Sequence, residues 1–333
     1  MALVNRKFVL ASRPQGPAGP EYFRLIEEPV RSPGEGEVLV RNRFLSLDPY
    51  MRSRMNAGKS YAPPQPVGEV MIGGTVGEVI AARRDGFEVG DLVVGMGGWQ
   101  EYSLSDGKAL RKIPQPGIAI EAWLGPVGMP GVTAWYGITR IIAPKSGETV
   151  VVSAATGAVG TVAGQLAKLA GARVIGIAGG PAKCRYAVEE LGYDACIDHR
   201  AADFAARLAE AADKGIDGVF ENVGGEPLNS CMGMLNTFAR IAICGLVASG
   251  YDGSPTPLSN LGPMLVARAT MQGFIISDHM SLWPQALEEL ARHVAAGRIR
   301  WRETIAEGIE AAPAAFFEML KGGNFGKQLV RLT

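Results

Sequence analysis

The chain has 333 residues, more than one hydrophobic core usually holds, so two domains are expected. With 47% hydrophobic and 20% charged residues it can build sizeable cores, which excludes a disordered chain. Lys plus Arg and Asp plus Glu balance at 33 each, which argues against a nucleic-acid or anionic-membrane partner, because such partners leave a basic excess.

The opening stretch "MALVNRKFVLASRPQG" has too short an apolar run for a secretory signal, and no later run is long enough to span a bilayer. A cytoplasmic protein is expected. The first 120 residues read as β-rich. "GEVLVRNRFLSL" (36–47), "GGTVGEVIAA" (73–82) and "GDLVVGMGGWQEYSLS" (90–105) are short apolar or alternating runs split by glycine and proline, as in a compact, partly closed barrel. After "PVGMPG" (126–131) the pattern changes. "TVVVSA" (149–154), "ARVIGIAG" (172–179), "GVFENVGG" (218–225), "RIAICG" (240–245) and "MQGFII" (271–276) are strand candidates with helical stretches between them. Such spacing is the mark of a parallel sheet covered on both faces, so this half is α/β. The tail carries helices at 283–297 and 312–322 and a strand at 327–332, and it is expected to return to the first domain. The predicted boundaries are 1–125, 126–278 and 279–333.

The four cysteines, Cys184, Cys196, Cys231 and Cys244, form no C-x-x-C pair and read as small buried hydrophobes. The first 180 residues contain neither Cys nor His, so the thiolate or imidazole set of a catalytic zinc cannot be built there, and no metal is expected.

The segment "VVSAATGAVGTVAGQLAKLAGARVIGIAGGPAKCRY" (151–186) carries the main functional signal. Ala155, Gly157 and Gly160 stand in the spacing of a dinucleotide fingerprint whose first glycine is alanine. Glycines there let the backbone turn sharply and approach a pyrophosphate at the positive N-terminus of the following helix. An NAD site places Asp or Glu at the end of the second strand to hold the ribose 2′-hydroxyl. Here that position gives Ala178, Gly179 and Gly180, followed by Lys183 and Arg185. A carboxylate would repel a 2′-phosphate and a cation attracts it, so NADP(H) is the expected cofactor. Arg200 is a candidate second cation. His199 is either a stacking partner for the adenine or a solvated loop residue.

Several segments together resemble a known family: "NRKFVLASRPQGPAGPEYFRL" at the start, "LSLDPYMRSRM" (45–55), "MPGVTAWYGI" (129–138), "ENVGG" (221–225) and "LKGGNFGKQLV" (320–330). They are similar to zinc-independent medium-chain dehydrogenase/reductases of the leukotriene/prostaglandin reductase, plant 2-alkenal reductase and bacterial curcumin reductase branch. The resemblance implies a Rossmann doubly wound parallel sheet plus a GroES-like β-barrel domain, and a homodimer. It also implies cofactor contacts from Gly157, Ala158, Val159 and Gly160 to the pyrophosphate and from Lys183 to the 2′-phosphate. His199 stands where relatives often carry tyrosine. Asn222, Cys244, Gly245, Phe274, Ile275, Ile276 and Asn324 would complete the site.

The chemistry implied is metal-free reduction of the C=C bond of an α,β-unsaturated aldehyde or ketone. Hydride goes to the β-carbon, and a hydrogen-bond donor stabilises the charge that gathers on the carbonyl oxygen. Tyr50 and Tyr251 are the candidate donors; packing aromatics is the competing assignment for both. Arg52 and Arg54 read as surface arginines or as attractors of a substrate carboxylate. Met51, Met55, Trp99 and Met129 read equally as pocket lining or core. An NADPH quinone reductase and a non-catalytic NADPH-binding sensor are the alternatives.

Overall fold

The computed structural model describes residues 3–16, 18–114, 117–249, 251 and 254–332, and the chain divides into two compact units. One is drawn from residues 1–124, 303–324 and 328–333, the other from 125–302 and 325–327.

The first unit opens with a hairpin of β1 (Val4–Leu10) and β2 (Phe23–Pro29), paired from Val4↔Pro29 to Leu10↔Phe23. There follow β3 (Val38–Ser46), the short helix α1 (Tyr50–Arg54), β4 (Thr75–Ala82), β5 (Leu92–Gly95), β6 (Tyr102–Ser105) and β7 (Arg111–Lys112). The 90–105 run divides into two strands because the chain turns at Gly97 and Gly98, the latter at φ +78°.

The second unit contains α2 (Met129–Tyr136), β8 (Thr149–Ser153), α3 (Gly160–Leu169), β9 (Arg173–Ala178), α4 (Pro181–Glu189), β10 (Ala195–Asp198), α5 (Phe204–Ala211), β11 (Ile216–Glu221), α6 (Gly225–Met232), β12 (Leu235–Ile243), α7 (Gly262–Ala267), β13 (Thr270–Gly273) and α8 (Trp283–Ala295). The tail then adds β14 (Glu303–Glu307), α9 (Ala312–Leu320) and β15 (Lys327–Arg331).

In the first unit the sheet order is β14-β15-β3-β4-β5-β7, with β6 also on β3. β15 pairs antiparallel with β3 through Leu329↔Ser46 and Val330↔Leu45, so the last strand closes a sheet begun by the third. Its core is aromatic and sulfur-rich. Trp99 stacks on Phe23 at 4.8 Å between ring centres and meets Phe316 of α9 edge-on at 5.6 Å, beside buried Met51, Met55 and Met71. Met51, Met55 and Trp99 are therefore core, each contributing roughly 1.5–3 kcal/mol of burial.

The second unit is a parallel sheet of order β10-β9-β8-β11-β12-β13. Counted in its own strands this is the 3-2-1-4-5-6 order of a doubly wound Rossmann sheet, whose ligands bind at the C-terminal strand ends where the order reverses between β8 and β11. All five residues of β8 are buried, as the uninterrupted valines require of a strand covered on both faces. The unit extends to 302, not to 278. α8 stays with it because its apolar stripe of Ala286, Leu287, Leu290 and Val294 is buried, and Glu289 accepts a hydrogen bond from Trp135 Nε1 of α2 at 2.9 Å. Among the described residues no helix is long and apolar enough to cross a membrane.

Candidate functional site

The turn after β8 is shaped by contact with its own helix. Ala154 adopts φ +47°, and Gly157 N–H donates to its carbonyl at 2.8 Å. A Cβ on Gly160 would lie 2.2 Å from Ala154 O and 3.0 Å from Ala155 Cα, so only glycine lets α3 start this close to the strand. Gly157 is less crowded, its Cβ position lying 3.2 Å from Ala154 O. Alanine fits at 155 because the missing side chain of Gly176 on β9 leaves room: a Cβ there would stand 2.9 Å from that of Ala155. The helix takes its first backbone bonds from Thr161 N–H to Gly157 O and Ala163 N–H to Val159 O, both 2.9 Å. The amides of Ala158, Val159 and Gly160 have no backbone acceptor among the described residues, which is the donor set an anion needs. Residues 325–327 lie on this turn. Gly326 N–H donates to Thr156 O at 3.1 Å, and Gly157 pairs with Gly326 in a parallel bridge.

Cations gather at the end of β9. A Cβ on Gly179 would lie 3.1 Å from both Arg200 Nε and His199 Nε2. Asp198 ties the two strand ends together, its Oδ1 accepting the amides of Gly180 at 2.8 Å and Arg200 at 3.0 Å. Burial, and then the charge of Arg200, hold the Lys183 ammonium below its ordinary pKa. Burial, then Arg200 and more weakly Lys183, lower His199, although Asp198 and Glu226 pull the other way. Lys183, His199 and Arg200 thus face one another. Their positive charge would attract a further anion. Lys183 Nζ also lies 6.0 Å from the centre of Phe325, which Arg302 covers at 4.5 Å and Tyr186 meets edge-on at 5.0 Å. Arg185 is exposed.

At the ends of β11 and β12 a buried network fixes the backbone. Glu221 Oε1 accepts the Ser153 hydroxyl at 2.6 Å and the amides of Val223 and Gly224 at 2.5 and 2.7 Å. Burial raises the Glu221 pKa even against these donors. Ser153 Oγ accepts Asn222 N–H at 2.8 Å, while Asn222 Nδ2 donates to Ser153 O at 2.7 Å, so the Asn222 side chain is pinned. The amides of Cys244 and Gly245 donate to Glu221 O at 2.8 and 3.2 Å. Tyr251, in the left-handed region at φ +54°, brings its hydroxyl 3.0 Å from where a Gly245 Cβ would be, and Asn222 O lies 3.2 Å from the same point. Asn222, Gly245 and Tyr251 therefore converge. Phe274 is a core residue, packed on Tyr136 at 5.4 Å, and Ile276 is also buried; of that trio Ile275 alone is partly exposed.

In the first unit, Tyr50 opens α1 with its ring against the aromatic core. Burial pushes its phenol well above the ordinary range, reinforced by Asp48 and by Tyr61. It is a persistent hydrogen-bond donor and a poor acid. Tyr61, 54% exposed, is a neighbour that the sequence offered no pattern to single out. Arg52 corrects the surface reading: it is 4% exposed and its Nη1 donates to Asn56 Oδ1 at 2.7 Å. Asn324 closes the tail segment of this unit, directly before Phe325. Also unforeseen were the Phe325 clamp and the Glu221–Ser153 network, whose residues are ordinary in sequence and meet only through tertiary pairing. Among the cysteines only Cys231 is buried; Cys184, Cys196 and Cys244 are partly exposed.

Comparison with known proteins fits this geometry. Residues 6–113 match the family described as N-terminal domain of oxidoreductase, and residues 158–292 match the zinc-binding dehydrogenase family. Despite that second description, no group of three or more His, Cys, Asp or Glu among the described residues could hold a metal ion. The chain is 48% identical to the NADPH-dependent curcumin reductase of Escherichia coli, over 99% of this chain and 97% of that one. It is 37% identical to a tobacco NADP(+)-dependent 2-alkenal reductase, over 90% and 88% of the two chains. The crystal structure of CurA from Vibrio vulnificus in complex with NADPH superimposes with a TM-score of 0.93 at 45% identity, covering 98% of this chain and 99% of that one. A likeness of this extent, on a Rossmann sheet with an intact phosphate turn, means that the chain is an oxidoreductase of the medium-chain dehydrogenase/reductase family and belongs to its zinc-independent curcumin, prostaglandin and alkenal reductase branch.

Proposed function

We propose that the protein reduces the C=C bond of α,β-unsaturated aldehydes and ketones with NADPH. The observation that carries the cofactor choice is the cluster of Lys183, His199 and Arg200 at the end of β9, where an NAD site would hold a carboxylate. When bound, the cofactor supplies a hydride. The chain's own residues bind and orient it. The free amides of Ala158, Val159 and Gly160 hold the pyrophosphate, and Lys183 and Arg200, beside the His199 ring, hold the 2′-phosphate. Asn222, Cys244, Gly245 and Ile275, with Asn324 from the tail, hold the nicotinamide half. Tyr50 or Tyr251 donates a hydrogen bond to the substrate's carbonyl oxygen as it gains charge. A neutral phenol suits this role, because it stabilises an oxyanion without releasing its own proton.

A panel of enals, enones and quinones, with product analysis for the saturated carbonyl compound, tests the reading. Enals and enones should turn over faster than quinones. Removing an oxyanion donor costs about two to three powers of ten in kcat, so Tyr50→Phe or Tyr251→Phe should lose about a hundredfold with KM for NADPH unchanged. Preferred quinone turnover would overturn the substrate class, and full activity in both variants would remove the tyrosines from the chemistry.

The enzyme is further proposed to act as a homodimer. β13 ends the parallel sheet with no outer neighbour among the described residues; Leu265 and Val266, just before it in sequence, are 82% and 77% exposed, and Phe238 of the adjacent β12 is 63% exposed. Light scattering at the mass of a single chain would refute it.

A further inference from the structure

Two glycines stand inside regular elements of the second unit, Gly164 in the middle of α3 and Gly176 in the interior of β9, where glycine is less stable than alanine. One side chain bears on both. A Cβ on Gly164 would lie 2.0 Å from the Tyr193 hydroxyl oxygen, and one on Gly176 would lie 3.0 Å from Tyr193 Cδ1. Through this gap the phenol reaches the phosphate turn. Its hydroxyl donates to Gly160 O at 2.8 Å, with a longer contact to Ala155 O at 3.3 Å. Those two carbonyls flank the stretch 156–159. We propose that Tyr193 is a positioning residue for the cofactor: its hydroxyl staples the two ends of the phosphate turn and so fixes the amides of Ala158, Val159 and Gly160 for the pyrophosphate.

The ring is delivered by rigid structure. Tyr193 is 2% exposed, and its own N–H donates to Ala187 O of α4 at 3.0 Å. The next residue locks it to β9: Asp194 N–H donates to Val174 O at 2.9 Å, and Asp194 Oδ2 accepts Val174 N–H at 2.7 Å. Burial raises the phenol well above its ordinary pKa, so it keeps the proton it donates. The amides of Ala158, Val159 and Gly160 give the turn no backbone bond of their own, so its shape depends on what holds its other groups. Gly157 N–H holds Ala154 O, Gly326 N–H holds Thr156 O, and the phenol reaches both ends.

Without the hydroxyl the turn samples shapes in which its amides diverge, and an anion must reorder them as it binds. Apparent affinity then falls by the fraction of turns that are competent. NADPH and NADH share the pyrophosphate, so the loss falls on both alike. The cations at the end of β9 lie outside the staple, and hydride transfer follows binding. Cofactor preference and the rate at saturation are therefore untouched.

This role rests on the reading of the turn as the pyrophosphate site, and the test separates the two. Tyr193→Phe removes the hydroxyl and keeps the ring. Binding of NADPH, NADH, 2′-phospho-ADP-ribose and 2′-AMP to the full-length protein is read by cofactor fluorescence and by competition against it, with steady-state kinetics alongside. The variant should raise Kd for the first three ligands by one common factor, roughly three- to tenfold, the size of one hydrogen bond. KM for NADPH should rise with it while kcat at saturation holds. 2′-AMP has no pyrophosphate and should bind as it does to the unmodified protein. Amide hydrogen exchange over 155–161 should be faster in the free variant. Unchanged Kd for all four ligands, even with a lowered melting temperature, would overturn the inference. So would a loss for 2′-AMP equal to that for NADPH, since either outcome describes ordinary packing. Failure of the turn reading would instead show in the unmodified protein, as 2′-phospho-ADP-ribose bound no more tightly than 2′-AMP.

Discussion

Lys183→Ala raises KM for NADPH roughly ten- to a hundredfold and leaves KM for NADH almost unchanged: this is the expected result, from about 1.5–3 kcal/mol for a lost charge-assisted contact. The ammonium is half-buried and faces Arg200, so in the free protein it carries both a desolvation penalty and a like-charge penalty. A phosphate dianion removes the second and offsets the first, and the selectivity comes from that difference. NADH has no phosphate to lose. Steady-state kinetics with both cofactors, joined to fluorescence titration, checks the point. Equal weakening of both cofactors would place Lys183 elsewhere than the 2′-phosphate.

The second large effect concerns folding. Gly326→Ala should destabilise the protein by about 2–4 kcal/mol, the sum of an overpacked contact and a forced left-handed residue. Gly326 sits at φ +74°, and a Cβ there would be 1.8 Å from the carbonyl oxygen of Arg302. That oxygen cannot yield freely, because it accepts Lys327 N–H at 2.9 Å. The same residue bonds Thr156 in the phosphate turn, so NADPH affinity should fall along with the melting temperature. Gly233→Ala is the matched control: its backbone is right-handed, at φ −70°, and a Cβ there meets nothing within 4 Å. Denaturant titration of the three proteins decides. A Gly326→Ala protein as stable as its Gly233→Ala counterpart would show that the tail is not seated as described.

What could be read from the sequence was local. The valine run of β8, the glycine spacing of the turn and the absence of a carboxylate after β9 all lie within one βαβ unit, where sequence distance and spatial distance coincide. Alanine at 155 was legible as a departure, but the reason it is tolerated, Gly176 on the next strand, belongs to strand register. The assignment of 279–302 failed for the same kind of reason. An amphipathic helix announces that it has a buried face but not which unit buries it. Arg52 looked like a surface cation because nothing in the sequence links it to Asn56 and the carbonyl of Gly16, to which it donates hydrogen bonds. Phe325 is one aromatic among eleven phenylalanines, and nothing in its neighbourhood hints that Arg302 and Tyr186 gather around it.

The late arrival of residues 325–327 at the phosphate turn has a consequence for synthesis. The parallel sheet has all its strands once the ribosome passes Gly273, yet the turn receives its Gly326 partner only some fifty codons later. A chain stalled or clipped between Gly273 and Gly326 can possess the whole nucleotide-binding sheet and still lack a finished cradle. Neither unit can be cut from the gene as one uninterrupted reading frame.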